Sequence, residues 1–516
     1  MFWLKFSKNY ITILFILLAL SLAIFPLFHK GFFVTDDGGW MIIRFSSFYQ
    51  ALADGQFPVR FLHRLNFDYG YPVATFLYPG FMYFGVPFHL LKIGFVETIK
   101  IILGLSLFGT TLFTYFWLDK VFKNKTAAII GSMVSLYIPY HLYDVYVRGS
   151  VGEVFALLWV PFILWMIEKR NMLLMSIGIF LLLISHNTIA LLFLPLLFFY
   201  AFLRKAFPPK ILSISFVFGI LMSSFFIIPA VFELQYTNFQ QTIVSNPANY
   251  FADFSLIGVI TFLIFIFAGS LFIFQKKSQT DHDSLIQLFL IVTFFAVFLS
   301  SSWSTFLWHF IPSSFIQFPF RLLSYLVISV AFLAAFIVSK IQSLSKKIIV
   351  IIGILFLLLI SSYGYGAPRE FIDKDEGFYS TNEATTTVQD EYMPAWVKEK
   401  PMMRAEQKIE LMRGEAKIEN IFYNNKNITF DVNAKNNVLL RINTIYWPGW
   451  EVFVDNKKIE ISYNNPKGVI ELKMPKGNHQ VTAEFSETRM RLFADIISII
   501  SFLLLILYSA KLKYKT

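Results

Sequence analysis

Thirteen apolar stretches, many of about 18 to 22 residues and several without a single charge, run along this chain at 10–28, 75–93, 96–118, 126–142, 152–167, 171–185, 188–203, 211–232, 256–275, 284–303, 319–338, 347–363 and 491–510. A helix needs roughly 20 apolar residues to cross the hydrocarbon core of a bilayer, so the pattern predicts membrane-spanning helices. Between 364 and 490 the period changes from helical to alternating. Ile428-Thr429-Phe430-Asp431-Val432, Val438-Leu439-Leu440-Arg441-Ile442 and Val469-Ile470-Glu471-Leu472-Lys473 read as strands, and Asn-Asn, Asp-Asn and Pro-Lys-Gly turns separate the short runs. Such spacing predicts a small antiparallel sandwich. The fold class that results is an α-helical polytopic membrane protein with a C-terminal β-sandwich-like domain. Its parts are a membrane domain at 1–363, the domain at 364–490, and a final helix with a basic tail at 491–516.

Positive charge decides which segments cross. If all thirteen did, the loop holding Lys120, Lys123 and Lys125 would face outward and every later basic loop would be inverted with it. The stretch 75–93 contains Pro79, Gly80, Gly85, Pro87 and His89, which suit a re-entrant or interfacial helix better than a straight span. Removing it leaves about 12 spans, with both termini and the basic loops cytoplasmic in a plasma-membrane protein. The loops 30–74, 143–152, 185–187, 233–254 and 303–318, together with 364–490, then share the outer, extracytoplasmic face.

Composition agrees and narrows the classes. With 56% hydrophobic and only 15% charged residues the chain is no ordinary soluble globule. The net charge of +11 does not point to nucleic acid, because 364–490 carries a net of −2 and the remaining +13 lies mostly in short loops where it orients helices and meets anionic lipid. Lacking cysteine, the chain has no disulfide, thiolate metal site or thiol nucleophile. The stretch 10–28, behind Lys5 and Lys8, reads as a retained signal anchor. No Walker loop, dinucleotide fingerprint or nucleophile elbow is present.

Candidate chemistry gathers in the outer loops. Thr35-Asp36-Asp37-Gly38-Gly39 sets two adjacent carboxylates beside the first apolar stretch, able to act as a general base or to hold a divalent cation such as Mg or Mn, though Asp-Asp-Gly is also a common turn. An amphipathic helix at 40–53 leads to Arg60 and Arg64, which suit either a phosphate or lipid headgroups. Asp144, Arg148 and Glu153 at a helix mouth call for mutual pairing or a wet cavity. His186 and Arg321 lie near the same boundary, His186 also fitting a helix cap. Tyr446-Trp447-Pro448-Gly449-Trp450 reads as a turn whose aromatics fill the sandwich, with a sugar-stacking platform as the other possibility.

These motifs in order resemble the GT-C superfamily of membrane glycosyltransferases, in particular bacterial membrane proteins with the 6-pyruvoyl-tetrahydropterin-synthase-related membrane domain. The matching residues are Thr35-Asp36-Asp37, Asp54-Gly55-Gln56-Phe57-Pro58-Val59-Arg60, Tyr69-Gly70-Tyr71-Pro72, Tyr140-His141-Leu142-Tyr143-Asp144 with Arg148-Gly149 and Glu153, and His186-Asn187. The sandwich and last helix look like the tail of YfhO-like proteins. The resemblance implies transfer of a sugar from a polyprenyl-phosphate donor to an envelope glycan, lipid or protein, with Asp36 or Asp37 as the catalytic carboxylate. Arg60, Arg148 and Arg321 are the implied phosphate contacts. Relatives often place a histidine about one turn after the aspartate, where this chain has Gly38-Gly39-Trp40-Met41. The rival expectation is a non-catalytic lipid or glycan transporter, or a membrane scaffold.

Overall fold

Caps and prolines cut the apolar runs into helices of unequal length. In a computed structural model of the chain, residues 17–239, 246–274, 282–311 and 316–513 are described. Lys5, Lys8, the first part of 10–28, Lys276, Lys277 and Lys515 lie outside them. Six helices are long and apolar enough to span a membrane: Phe95–Phe122, Val151–Glu168, Asp283–Ser300, Pro319–Lys340, Leu344–Ser362 and Arg489–Lys511. Pro209–Met222 and Ser224–Tyr236 form a seventh if counted together, but they meet at a 66° bend. Met172–Ser185, Asn187–Leu203 and Val259–Phe274 are apolar but shorter.

The expected count of twelve is therefore not reproduced among the described residues, and the reason is local. His186 ends one helix and caps the next, its Nδ1 accepting from the Ile189 N–H at 3.3 Å, while Asn124 and Asn171 cap the helices that follow them. The stretch 75–93 contains the 11-residue helix Gly80–Leu90. At 1.5 Å per residue it rises about 16 Å, roughly half of the hydrocarbon thickness. It lies close to the Gly38–Ala53 helix, where a Cβ on Gly85 would stand 2.8 Å from the Phe45 ring.

Strand β1 (Phe32–Phe33) pairs antiparallel with β2 (Phe371–Ile372), joining the first loop to the start of the C-terminal region. The remaining strands are β3 (Ile409–Arg413), β4 (Ala416–Tyr423), β5 (Asn427–Ala434), β6 (Val438–Ile445), β7 (Trp450–Val454), β8 (Lys457–Ile459), β9 (Val469–Met474) and β10 (Gly477–Phe485). They form two sheets, in the orders β4-β5-β10-β7-β8 and β3-β6-β9. Period-two patterning buries Ile428, Phe430 and Val432 from one sheet with Leu440, Ile442, Ile470 and Leu472 from the other. Trp447 and Trp450 lie in the same core, so the aromatic run packs inward.

The last helix, Arg489–Lys513, returns against Pro209–Met222 and Ser224–Glu233 and is pinned by buried charge. Arg491 donates to both Glu233 oxygens at 2.6 and 2.8 Å. Breaking such a pair from one side leaves an uncompensated buried charge. Glu233→Ala is accordingly expected to cost about 3–5 kcal/mol, measured as thermal unfolding in detergent; a change within the noise of wild type would mean that the last helix docks without this pair.

Candidate functional site

Backbone hydrogen bonds set the Asp36-Asp37 step against a second loop. The Asp36 N–H donates to the Val147 carbonyl at 3.1 Å and the Asp37 N–H to the Arg148 carbonyl at 2.8 Å. Gly149 makes this approach possible: its φ is +65°, and a Cβ there would meet Thr35 Oγ1 at 2.4 Å and the Gly38 nitrogen at 2.9 Å. Asp37 occupies the N-cap of the Gly38–Ala53 helix without capping it through its side chain. Its carboxylate instead lies 4.0 Å from Nη2 of Arg148 and is 41% exposed, in the favourable field of a helix N-terminus.

Beneath it is a buried charge network. Arg148 ends a π-helical turn, Asp144–Arg148, a rare geometry that re-aims side chains. Its Nη1 donates to Asp144 Oδ1 at 2.8 Å and to Glu153 Oε2 at 2.7 Å. Glu153 also takes Arg321 Nε at 3.2 Å and the Tyr140 hydroxyl, with His186 Nε2 at 3.8 Å. Both carboxylates are fully buried, which is sustainable because each faces a guanidinium. Aromatic faces close the network, with Arg148 5.2 Å from the Phe320 ring centre, Arg321 5.2 Å from that of Phe318, and Tyr78 packed on His186 at 4.5 Å. Arg148 Nη2 carries no hydrogen bond among the described residues, so one donor points toward Asp37 and remains for an anion.

The electrostatics separate the two aspartates. Burial, reinforced by the charge of Asp37 and opposed by Arg148, raises the Asp36 carboxyl above its ordinary range. A residue that the sequence did not single out shares this field: burial pushes Glu391 up to about 7, with Arg44 opposing and Asp37 adding to the shift. Arg44 is the one charged residue in the 40–53 helix, a signal that could have been read; nothing in the sequence around Glu391 marks it.

Asp36, Asp37, Asp144, Arg148, Glu153, His186 and Arg321 are thus brought to one place, and two predicted residues are not. Arg60 spends its guanidinium on Glu487 at 3.1 Å, Asp495 at 2.9 Å and the Phe225 carbonyl at 2.6 Å, anchoring the last helix. Arg64 ties the Gly38–Ala53 helix to Tyr379 and Ser380 through Gln50, Ser46 and backbone carbonyls. All three guanidinium nitrogens of Arg60 and both terminal nitrogens of Arg64 meet protein acceptors, while Arg64 Nε is buried without one. For a divalent cation, the described residues contain no group of three or more His, Asp or Glu able to hold one. Asp36 and Asp37 alone would give a Mg or Mn ion two carboxylates, with water and substrate oxygens left to complete its shell, and no step is routed through a metal.

Close packing also fixes Tyr78, since a Cβ on Gly152 would sit 1.9 Å from its ring. Gly152→Ala is expected to displace Tyr78 from His186 and cost about 1–3 kcal/mol by overpacking, read as a lower unfolding temperature; an unchanged temperature would show that the ring shifts freely.

No family profile matches the sequence and no curated protein matches it. Among solved structures, the chain is similar to the arabinofuranosyltransferase AftD from mycobacteria (TM-score 0.48, 14% identity), covering 70% of this chain and 28% of that one. It is also similar to the archaeal oligosaccharyltransferase AglB from Archaeoglobus fulgidus, solved with an inhibitory peptide and a dolichol-phosphate (TM-score 0.43, 11% identity), covering 73% of this chain and 56% of that one. The chain thus spans little more than a quarter of the first and about half of the second. Overlaps this partial leave the activity to be argued from the site's own residues.

Proposed function

We propose that this protein is a multi-pass membrane glycosyltransferase that moves a sugar from a polyprenyl-phosphate donor to an envelope glycan, lipid or protein on the outer face of the cell membrane. The observation that carries the reading is the 4.0 Å approach of the half-exposed Asp37 carboxylate to the unbonded Nη2 of Arg148. A base and an anion-binding donor then face the same space, as a transfer onto an acceptor hydroxyl requires. Asp37 takes the hydroxyl proton as the acceptor oxygen bonds to the anomeric carbon. The bond from that carbon to the phosphate oxygen breaks, and its electron pair leaves on the polyprenyl phosphate. Arg148, backed by Arg321, stabilises the charge that develops there. Asp144 and Glu153 hold the two guanidinium groups in place.

A transporter would favour a site near the bilayer midplane between repeated halves. Here the groups stand at helix ends instead: Asp37 at an N-cap, Arg148 at the close of a π turn and His186 between two helices. The test is release of free polyprenyl phosphate from radiolabelled sugar-lipid donors in membranes that contain the protein. Release that depends on its expression supports the reading; no release from any donor tried, with the protein folded, transfers the weight to transport or scaffolding.

A further inference from the structure

A groove of about 650 Å³ runs between the Leu17–Phe28 and Phe95–Phe122 helices and shares no lining residue with the site around Asp37. Leu20, Ile24 and Leu27 form one wall, and Ile101, Leu105 and Phe108 the other. Phe28 and Leu105 are exposed, so the groove opens sideways to the lipid. Its charged residues all stand at one end, where His29, Lys30, Glu97 and Lys100 form a mouth. From Glu97 to Phe108 the wall rises about 16 Å, close to the hydrocarbon depth of one leaflet. The groove is therefore charged at the membrane surface and apolar for one leaflet beneath it.

Lys100 donates to the carbonyls of His29 and Gly31 at 2.8 and 3.0 Å, and Glu97 stands 3.8 Å from its ammonium, beyond hydrogen-bond reach. Among the described residues no hydrogen bond engages the Glu97 carboxylate, which is half exposed. Glu376 faces it: a Cβ on Gly94 would fall within 2.6 Å of carboxylate oxygens of both. Lys30, 84% exposed, is held only by the equally superficial Asp373 at 2.6 Å, a kind of pair that contributes little. The mouth thus carries two ammonium groups and two carboxylates, and a ligand of either sign alone is repelled by half of it. A headgroup with a phosphate and a primary ammonium matches both halves. The phosphate accepts from Lys30 and Lys100, and the ammonium donates to Glu97 and Glu376.

We propose that this groove holds one acyl chain of a phospholipid from the leaflet on the Asp37 side, its headgroup carrying both a phosphate and a primary ammonium. The inference is independent of the transferase reading. Chain and headgroup are assigned from separate features, the apolar walls and the charged mouth. The same stretch leads into the site, since Phe28-His29-Lys30-Gly31 runs into β1 and β1 into Thr35-Asp36-Asp37. Lys100 already ties His29 and Gly31 to the Phe95–Phe122 helix, and a headgroup between Lys30, Lys100 and Glu97 adds a second brace. Because it binds the folded chain, the lipid raises the unfolding temperature.

The experiment uses the delipidated full-length protein in detergent with synthetic dioleoyl phosphatidylethanolamine, phosphatidylglycerol or phosphatidylcholine, read by native mass spectrometry and thermal unfolding. One phosphatidylethanolamine is expected to be retained about tenfold more strongly than either other lipid, the ratio that one charge-assisted hydrogen bond supplies. Phosphatidylglycerol has no ammonium, and the ammonium of phosphatidylcholine has no N–H to donate. Gly104 lines the groove, and a Cβ there would meet nothing nearer than Leu27 at 3.5 Å, so Gly104→Leu fills the space while favouring the helix. It is expected to abolish retention of all three lipids without lowering the lipid-free unfolding temperature. Glu97→Gln is expected to keep the chain but cut the preference for phosphatidylethanolamine to within about twofold. Equal retention of the three lipids by wild type overturns the proposal, and retention that survives Gly104→Leu puts the lipid elsewhere and does the same. Should Gly104→Leu fail to fold, Glu97→Gln decides alone, an undiminished preference being the contrary result. Glycerophosphoethanolamine, which has the headgroup without the chains, is expected not to displace the lipid; displacement at equal concentration would make the mouth a site for a soluble ligand instead.

Discussion

Asp37→Asn is expected to reduce sugar transfer by about 10²–10⁴-fold while leaving thermal unfolding nearly unchanged. Asparagine keeps the shape and size of the side chain but cannot accept a proton from the acceptor hydroxyl. The structural cost is small because the carboxylate is 41% exposed, makes no capping bond and meets its guanidinium only at 4.0 Å. Asp36→Asn is expected to have the lesser effect. Its carboxylate has no ion pair with Arg148, and burial beside Asp37 makes it the poorer anion. The measurement is release of polyprenyl phosphate at matched expression, with unfolding followed in the same preparations. If Asp37→Asn retained more than a third of wild-type turnover while Asp36→Asn lost it, the roles of the two residues would have to be exchanged.

Arg148→Met produces the second large effect, and it combines two losses that can be separated. Removing the guanidinium strands the fully buried Asp144 and leaves Glu153 to Arg321, and breaking a buried pair from one side costs about 3–5 kcal/mol. It also removes the donor facing Asp37, so transfer should fall with stability. The double variant Arg148→Met, Asp144→Asn relieves the stranded charge while Glu153 keeps Arg321, and should recover much of the unfolding temperature, since replacing a whole buried ion pair is often neutral. Transfer should stay lost. Recovery of both together would reduce Arg148 to a structural strut and leave the phosphate without its proposed contact. Arg148→Lys tests geometry, because one ammonium cannot span Asp144, Glu153 and the space beside Asp37 as a planar guanidinium does.

How much of this was legible in advance follows from the range of each interaction. Apolar runs and the alternating 416–485 stretch are local signals, and they gave the helical domain and the strands. The count of spans was not, because several of the apolar runs fold into helices too short to cross, Met172–Ser185, Asn187–Leu203 and Val259–Phe274 among them, the first two ended and started by the cap at His186. Asp36, Asp37, Asp144, Arg148, Glu153, His186 and Arg321 were suspects because ionisable groups at membrane boundaries are costly without partners. Arg60 and Arg64 looked equivalent by that criterion, yet their partners Glu487, Asp495 and Ser380 lie more than 300 residues away.

Sequence by itself therefore determined the membrane class, the change to strands after residue 363, and a short set of polar residues to watch, since each depends on burial along a few consecutive positions. Only the tertiary structure decided which arginine keeps a donor toward Asp37 and which spends its own on distant elements. Electrostatic interaction depends on distance through space and on burial, and neither is written in the separation of two residues along a chain.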